Sequence, residues 1–273
     1  MIADTLSVLT TIPREVDLVI GIPRSGMTPA AILASELHKP LGVPGSDRAY
    51  YGLREGNISD TIKKILLVDD SVYEGKAFTK AEIEIRKVYP EAEIIKLCLY
   101  LNPESDYHVD MHVKKIEIPR MFEWNLFNSA KLNTTITDMD GVLCTDPEVF
   151  DDDGIAYQEA LKNAKPLHLP GRPVHAICTN RLERWREITE EWLKRHGVKY
   201  GVLHMTQFPT ADERRKNSSP ARYKGAIYKK DAGAKFFIES SKVQSAGIAR
   251  VSGKMVICLE EKKIYAAESD SLP

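Results

Sequence analysis

"ILLVDDSVYEGKAFTKA" occupies residues 65–81. Four apolar residues, 65–68, come first. Two adjacent acids follow, Asp69 and Asp70, then a short loop around Gly75 and a segment with apolar positions at helical spacing (Ala77, Ala81, Ile85, Val88). An unbroken apolar run this short reads as a strand covered on both faces, as happens when helices pack on each side of a parallel sheet. Strand, loop and helix in that order form the repeating unit of α/β folds. The acids are the anomaly. Adjacent carboxylates repel, and burying them costs free energy unless they are paired or hold something.

The alternation extends in both directions. Upstream, "VDLVIG" (16–21) reads as a buried strand. "TPAAILASELHKPLG" (28–42) reads as a helix, with Thr28 as N-cap and Pro29 at the first helical position. The helix after Gly75 is expected from Lys76 to Tyr89, and "AEIIKLCLYL" (92–101) and "KKIEIP" (114–119) add two strands. Periodicity fades over "RMFEWNLFNSAKLN" (120–133), then resumes with strand "TTITDMDG". Downstream, "RPVHAICTN", "AKFFIESS" and "KMVICLE" read as strands. "RLERWREITEEWLKRHG" reads as a helix with Leu182, Trp185, Ile188 and Trp192 on one core-facing side and Gly197 as its stop. The expected fold is α/β: two Rossmann-like three-layer domains, 1–128 and 129–273, each with a mainly parallel sheet flanked by helices.

Bulk properties narrow the function. The 273 residues carry a net charge of −1, which argues against a general nucleic-acid binder. The densest basic stretch, "DERRKNSSPARYKG" (212–225), reads as a solvated loop. The four cysteines, Cys98, Cys144, Cys178 and Cys258, form no CxxC pair and sit in apolar runs. They read as buried free thiols in a reducing compartment. No stretch approaches the roughly 18 apolar residues of a membrane span, and a cytoplasmic location is expected.

A second glycine-containing loop, "GIPRSGMTPA" (21–30), also joins a strand to a helix. Helix N-termini and turn amides favour phosphates, and open α/β sheets bind ligands at the carboxyl ends of their strands. Two such loops flanking an acid pair suit two phosphate groups and a ribose diol, which together describe 5-phosphoribosyl 1-diphosphate (PRPP). "ILLVDDSVYEGKA" resembles the PRPP-binding signature of type I phosphoribosyltransferases, and "GIPRSGM" resembles that family's diphosphate loop. The resemblance covers residues 1–120. It implies that Asp69 and Asp70 hold the ribose hydroxyls and favour positive charge at the anomeric carbon. It implies that Val72, Tyr73, Glu74, Gly75, Lys76 and Ala77 cradle the 5-phosphate, and that Arg24, Ser25 and Gly26 hold the diphosphate beside Mg²⁺. The transition state is cationic at the sugar, so negative charge there and positive charge at the leaving group are what it needs.

The loop departs from the family pattern. Glu74 and Ala77 stand where hydroxyl residues are usual, and Lys76 is new. "GVPGSDRAYYGLREGN" (42–57), with Arg48, Tyr50, Tyr51 and Arg54, lies where the family carries a mobile loop, and a plain solvent loop is the competing reading. The acceptor would be chosen by residues 1–15 and part of 100–128, where Phe122 and Trp124 offer either a stacking surface or core.

"TTITDMDGVLCTD" (134–146) places Asp138 and Asp140 one residue apart at a strand end. In a strand, residues i and i+2 share a face, so both carboxylates can address one reaction centre, one as nucleophile and one as acid/base. The pattern resembles the first motif of haloacid dehalogenase-like phosphatases. The resemblance covers residues 133–260. It implies an aspartyl-phosphate on Asp138, with Asp140 as acid/base, and Thr179 as hydroxyl donor to the phosphoryl group. Lys224 would neutralise charge, with Lys229 and Lys230 as rivals. Mg²⁺ would be held by Asp138, the Asp140 carbonyl and Glu239. Ser240 and Ser241 stand where the family often has a second acid. Some 30 residues separate the first two motifs, including the acidic "FDDDG" (150–154), which is too few for a large cap.

Together the resemblances imply a bifunctional enzyme. PRPP would donate 5-phosphoribose to an acceptor, possibly a glycan hydroxyl, and the phosphatase would strip the 5-phosphate, for net ribosylation. Two alternatives stand beside it: a nucleobase phosphoribosyltransferase coupled to a 5′-nucleotidase, and a non-catalytic PRPP sensor joined to a phosphatase.

Overall fold

A computed structural model describes residues 1–51, 54–57, 62–118, 120–148 and 154–266. The chain divides into two compact units, Met1–Arg120 and Met121–Pro273. The division falls at 120/121, ahead of the 128/129 drawn from the sequence. The reason is that Leu126 and Leu132, carried on two short 3₁₀ turns, are buried in the second unit's core.

The first unit contains α1 (Ile2–Ser7), β1 (Leu18–Gly21), α2 (Met27–Glu36), β2 (Leu41–Gly42), β3 (Arg48–Tyr51), β4 (Arg54–Asn57), β5 (Lys64–Val72), α3 (Lys76–Val88), β6 (Glu93–Leu101) and β7 (Met111–Lys115). Its seven-stranded sheet runs β4-β3-β2-β1-β5-β6-β7. Strands β2, β1, β5, β6 and β7 are parallel, while β3 and β4 add an antiparallel edge. Residues 65–68 are completely buried, because alternate side chains enter separate cores. Ile65 and Leu67 pack with Phe78 and Ile85 of α3, and Leu66 and Val68 with Leu33 of α2.

Three expectations shift here. The 28–42 helix starts earlier, with Gly26 as N-cap in place of Thr28, and stops at Glu36, since residues 41–42 pair with β1. The 114–119 strand lies instead at Met111–Lys115. The 42–57 segment contains an antiparallel hairpin, whose side chains at Tyr51 and Arg54 lie outside the described residues.

The second unit contains β8 (Thr135–Thr137), α4 (Ile155–Asn163), β9 (Val174–Leu182), α5 (Arg186–Arg195), β10 (Tyr200–Thr206), α6 (Ala211–Asn217), α7 (Pro220–Lys230), β11 (Phe236–Glu239), α8 (Lys242–Ser252), β12 (Val256–Cys258) and β13 (Lys263–Tyr265). Its sheet runs β10-β9-β8-β11-β12-β13, parallel except for β13. Helices α4 and α5 contribute to the core on one face, α7 and α8 to the core on the other. Both units are therefore mixed, mostly parallel sheets layered between helices.

Leu182 ends β9 instead of starting the next helix, and α5 begins at Arg186 after one 3₁₀ turn. The basic stretch 212–225 is helical, not a loop: Thr210 caps α6, and Ser219 caps α7 with Pro220 in its first turn. All four cysteines are buried free thiols. Among the described residues no helix is long and apolar enough to cross a membrane.

Candidate functional sites

The acid pair of the first unit lies inside β5, not beyond it: the strand continues through Val72, with Asp69 opposite Cys98 and Ser71 opposite Tyr100. Both carboxylates are buried. Asp69 Oδ1 accepts from the Asp70 amide at 2.9 Å, and the Ser71 hydroxyl lies 3.3 Å from Asp70 Oδ1. Burial, and next the Asp70 charge, push the Asp69 carboxyl up to about 8. Such a pair fits a cation or hydroxyl donors, since either relieves the mutual repulsion.

Strands β1 and β5 are neighbours in register, with Gly21 opposite Val68, so their following loops emerge side by side. The contact between them is close. A side-chain carbon on Gly26 would lie 2.6 Å from the Val68 carbonyl, 2.7 Å from the Ile22 carbonyl and 2.8 Å from Asp69 Oδ1. Only glycine lets this loop approach the acid pair. Arg24 is exposed and Ser25 half-buried beside it, and the Pro23–Arg24 peptide is cis.

A cavity of about 270 Å³ lies at the loop after β5, lined by Asp69 and residues 71–78. It thus joins Asp69 to Val72, Tyr73, Glu74, Gly75, Lys76 and Ala77. Gly75 takes a left-handed φ of 73° and caps α3, which directs the helix's first amides at the loop. Glu74 forms an exposed ion pair with Lys76. Arg120 was not foreseen. Its guanidinium donates to the Val72 carbonyl at 2.9 Å and to Tyr100 and Ile116 carbonyls, holding the end of β5. Phe122 and Trp124 belong to the second unit and stack on each other at 4.8 Å, so they are not part of the first unit's surface.

In the second unit β8 stops at Thr137, so Asp138 and Asp140 lie on the turn beyond it. Strand alternation is therefore not what aims them. The Asp138 amide donates to the Ile238 carbonyl, and Asp138 Oδ1 accepts from the Met139 amide. Lys224, 2% exposed, places its ammonium 2.7 Å from Asp138 Oδ2, 2.8 Å from Glu239 Oε2 and 2.9 Å from Gln244 Oε1. Burial raises the Asp138 carboxyl well above its usual range despite that ammonium. For Lys224 burial pulls down, but Asp138 and Glu239 outweigh it and hold the amine above its ordinary value. Lys229 and Lys230 are exposed at the end of α7.

Asp140 faces a different cation. Arg181, 1% exposed, donates from Nε to both carboxylate oxygens at 3.1 and 3.0 Å, and from Nη2 to Oδ1 at 2.5 Å. The Thr179 hydroxyl also donates to Asp140, at 3.3 Å. A cavity of about 360 Å³ exposes this arrangement, lined by Asp138, Asp140, Arg181 and Lys224 together with Arg214 and Arg215 of α6. Asp146 shares it, its carboxyl raised by burial and by the charges of Asp140 and Glu239.

The Asp138 and Glu239 carboxylates, expected to hold Mg²⁺ together with the Asp140 carbonyl, are bridged by the Lys224 ammonium. Glu239 Oε1 accepts from the Ser240 and Ser241 amides, Asp138 Oδ1 accepts from the Met139 amide, and the remaining oxygen of each carboxylate accepts from Lys224. Among the described residues no three His, Cys, Asp or Glu side chains are grouped to hold a metal. The residues present do not fit Mg²⁺ there while Lys224 keeps its place.

Arg181, Gln244 and Arg214 were missed from the sequence. Arg181 left a signal: it lies two residues after Thr179 in a strand, hence on the same face, and a charge within a buried strand calls for a partner. The run 150–153 lies outside the described residues.

Residues 5–130 match the family model described as "Phosphoribosyl transferase domain". No curated protein matches the chain. Among solved structures, it is similar to a purine phosphoribosyltransferase from Pyrococcus horikoshii, at 24% identity over 42% of this chain and 81% of that one, with a TM-score of 0.34. A Helicobacter pylori xanthine-guanine-hypoxanthine phosphoribosyltransferase is similar at 20% identity over 44% and 82%, TM-score 0.35. An orotate phosphoribosyltransferase from Aeropyrum pernix is similar at 23% over 42% and 71%, TM-score 0.33.

Proposed function

We propose that the first unit transfers 5-phosphoribose from PRPP to an acceptor and that the second hydrolyses the phosphomonoester so formed, for net ribosylation. The carrying observation is the approach of Gly26 to Asp69, which brings an anion-binding loop against a buried acid pair. The family match over residues 5–130 supports the transfer half of this reading.

In the transfer, the bond from the anomeric carbon to the diphosphate breaks and the electron pair leaves with pyrophosphate. A bond to the acceptor oxygen or nitrogen forms, and the acceptor loses its proton. Asp69 and Asp70 hold the ribose hydroxyls and stabilise the cationic sugar. Arg24 and the amides at Ser25 and Gly26 receive the leaving diphosphate, and the amides of 72–77 hold the 5-phosphate. Asp69 and Asp70 would also hold a Mg²⁺ that arrives with the donor, which would supply further positive charge toward the diphosphate.

In the hydrolysis, Asp138 attacks phosphorus as the P–O ester bond breaks, and the leaving oxygen takes a proton from the protonated form of Asp140, whose ionised form Arg181 then holds. Asp140 then takes a proton from the water that releases phosphate. Lys224 offsets the charge at Asp138, and Arg181 with Thr179 fixes the Asp140 carboxylate. Between the first two motifs the described residues contain one nine-residue helix, α4, which favours a bulky acceptor such as a glycan.

The test is incubation of PRPP with saccharide and nucleobase panels, using wild type and Asp138→Asn. The variant is expected to accumulate a 5-phosphorylated ribosyl product that wild type does not. Identical phosphorylated products from both would overturn the coupling. Transfer only to a nucleobase would favour the salvage reading, and PRPP binding with no pyrophosphate release the sensor.

A further inference from the structure

Between Val72 and Ala77 the loop after β5 has no Ser or Thr, and its Glu74 is paired with Lys76. Anion binding therefore falls to backbone amides, whose aim depends on the loop's shape. That shape is held from outside the loop. The Ser105 hydroxyl donates to the Tyr73 carbonyl at 2.5 Å and accepts from the Tyr107 amide at 3.2 Å. The Tyr107 ring lies against Gly75, where an added side-chain carbon would come within 2.0 Å of Tyr107 Cδ2 and 2.1 Å of Cγ.

The ring is itself fixed. It stacks on Phe78 at 5.8 Å, its hydroxyl donates to Glu82 at 3.3 Å, and the Lys96 ammonium lies 5.0 Å from its centroid. Neither Ser105 nor Tyr107 lines the 270 Å³ cavity, so both touch the loop away from the space a ligand would enter.

We propose that Ser105 and Tyr107 are positioning residues that hold the 72–77 amides in the shape that receives the donor's 5-phosphate. The inference rests on the PRPP reading of this site. Both act from the segment after β6, outside the loop they hold.

The experiment measures binding of PRPP, ribose 5-phosphate and pyrophosphate by calorimetry to wild type, Tyr107→Ala, Tyr107→Phe and Ser105→Ala. Tyr107→Ala is expected to weaken PRPP and ribose 5-phosphate by about ten-fold or more, since small misplacements of positioned groups have large effects. Pyrophosphate, which does not use this loop, should bind unchanged. Tyr107→Phe keeps the ring and should bind like wild type. Ser105→Ala removes only a hydroxyl from a half-buried position, so it reports even if Tyr107→Ala fails to fold, and should weaken both sugar phosphates but not pyrophosphate. Wild type that binds none of the three ligands would overturn the PRPP reading. Wild type that binds, with Ser105→Ala and Tyr107→Ala equal to it or weakened for all three ligands alike, would overturn the positioning role.

Discussion

Replacing Lys224 by methionine keeps the volume of the side chain and removes the cation between Asp138 and Glu239. A lysine ammonium has three donors, and all three are engaged here, with Asp138, Glu239 and Gln244. Asp138 is 3% exposed and Glu239 is fully buried, so neither carboxylate can turn to water for compensation. Removing one partner of a buried ion pair costs about 3–5 kcal/mol, because the other is left charged and unpaired. For a unit of about 150 residues that corresponds to a fall in Tm of roughly 10 °C. The measurement can be confined to the right half of the molecule. All three tryptophans, Trp124, Trp185 and Trp192, lie in the second unit, so their fluorescence in urea follows that unit alone.

The loss should depend on pH in a fixed direction. The Asp138 carboxyl is raised in the folded state even with Lys224 present. A raised acid binds more protons folded than unfolded, so stability is greatest below the unfolded value near 4 and declines as pH rises toward the folded value. Without Lys224 that decline should steepen, and Lys224→Met should regain stability between pH 8 and pH 5. Glu239→Gln added to Lys224→Met should recover part of the loss at pH 8. Millimolar Mg²⁺ should raise the variant's midpoint by occupying the vacated place, with wild type shifting less. A loss below about 1 kcal/mol, or one equal at both pH values, would refute the argument that Lys224 neutralises a buried acid pair. A Mg²⁺ shift as large in wild type would show that Lys224 does not hold the cation's place.

Other outcomes follow from the same geometry. Gly26→Ala would bring a methyl within 2.6–2.8 Å of three oxygens, including Asp69 Oδ1, and should abolish pyrophosphate release while costing about 1–3 kcal/mol of overpacking. With its carboxyl raised to about 8, Asp69 makes the first unit lose stability between pH 4 and 8, and Asp69→Asn should flatten that slope in pulse proteolysis at pH 5.5 and 9. Burial pushes the Cys98 thiol up to about 12 and raises Cys144 and Cys178 as well. Since all four thiols are buried, a disulfide reagent at pH 8 should titrate none in the native protein and four in denaturant, and any fast native thiol would contradict the packing.

What could be read from the chain followed the range of each interaction. The strand at 65–68 and the acid pair were legible because four apolar residues and two charges sit in one window. The helices of the 212–225 region were legible too, though a count of charges hid them. Thr210 and Glu213 have capping-box spacing, and Ser219 stands before Pro220 as a second cap. Alternation along a strand failed at Asp138 and Asp140 because β8 ends one residue before them. The consequence reaches the chemistry. Two acids one residue apart are alike in sequence, and their partners distinguish them: Lys224, 86 residues on, for Asp138, and Arg181, 41 residues on, for Asp140. One acid faces a buried point charge shared with Glu239 and the other a planar fork that engages both its oxygens. Neither partner lies near its acid in the chain, so only the folded sheet brings the difference between the two carboxylates into view.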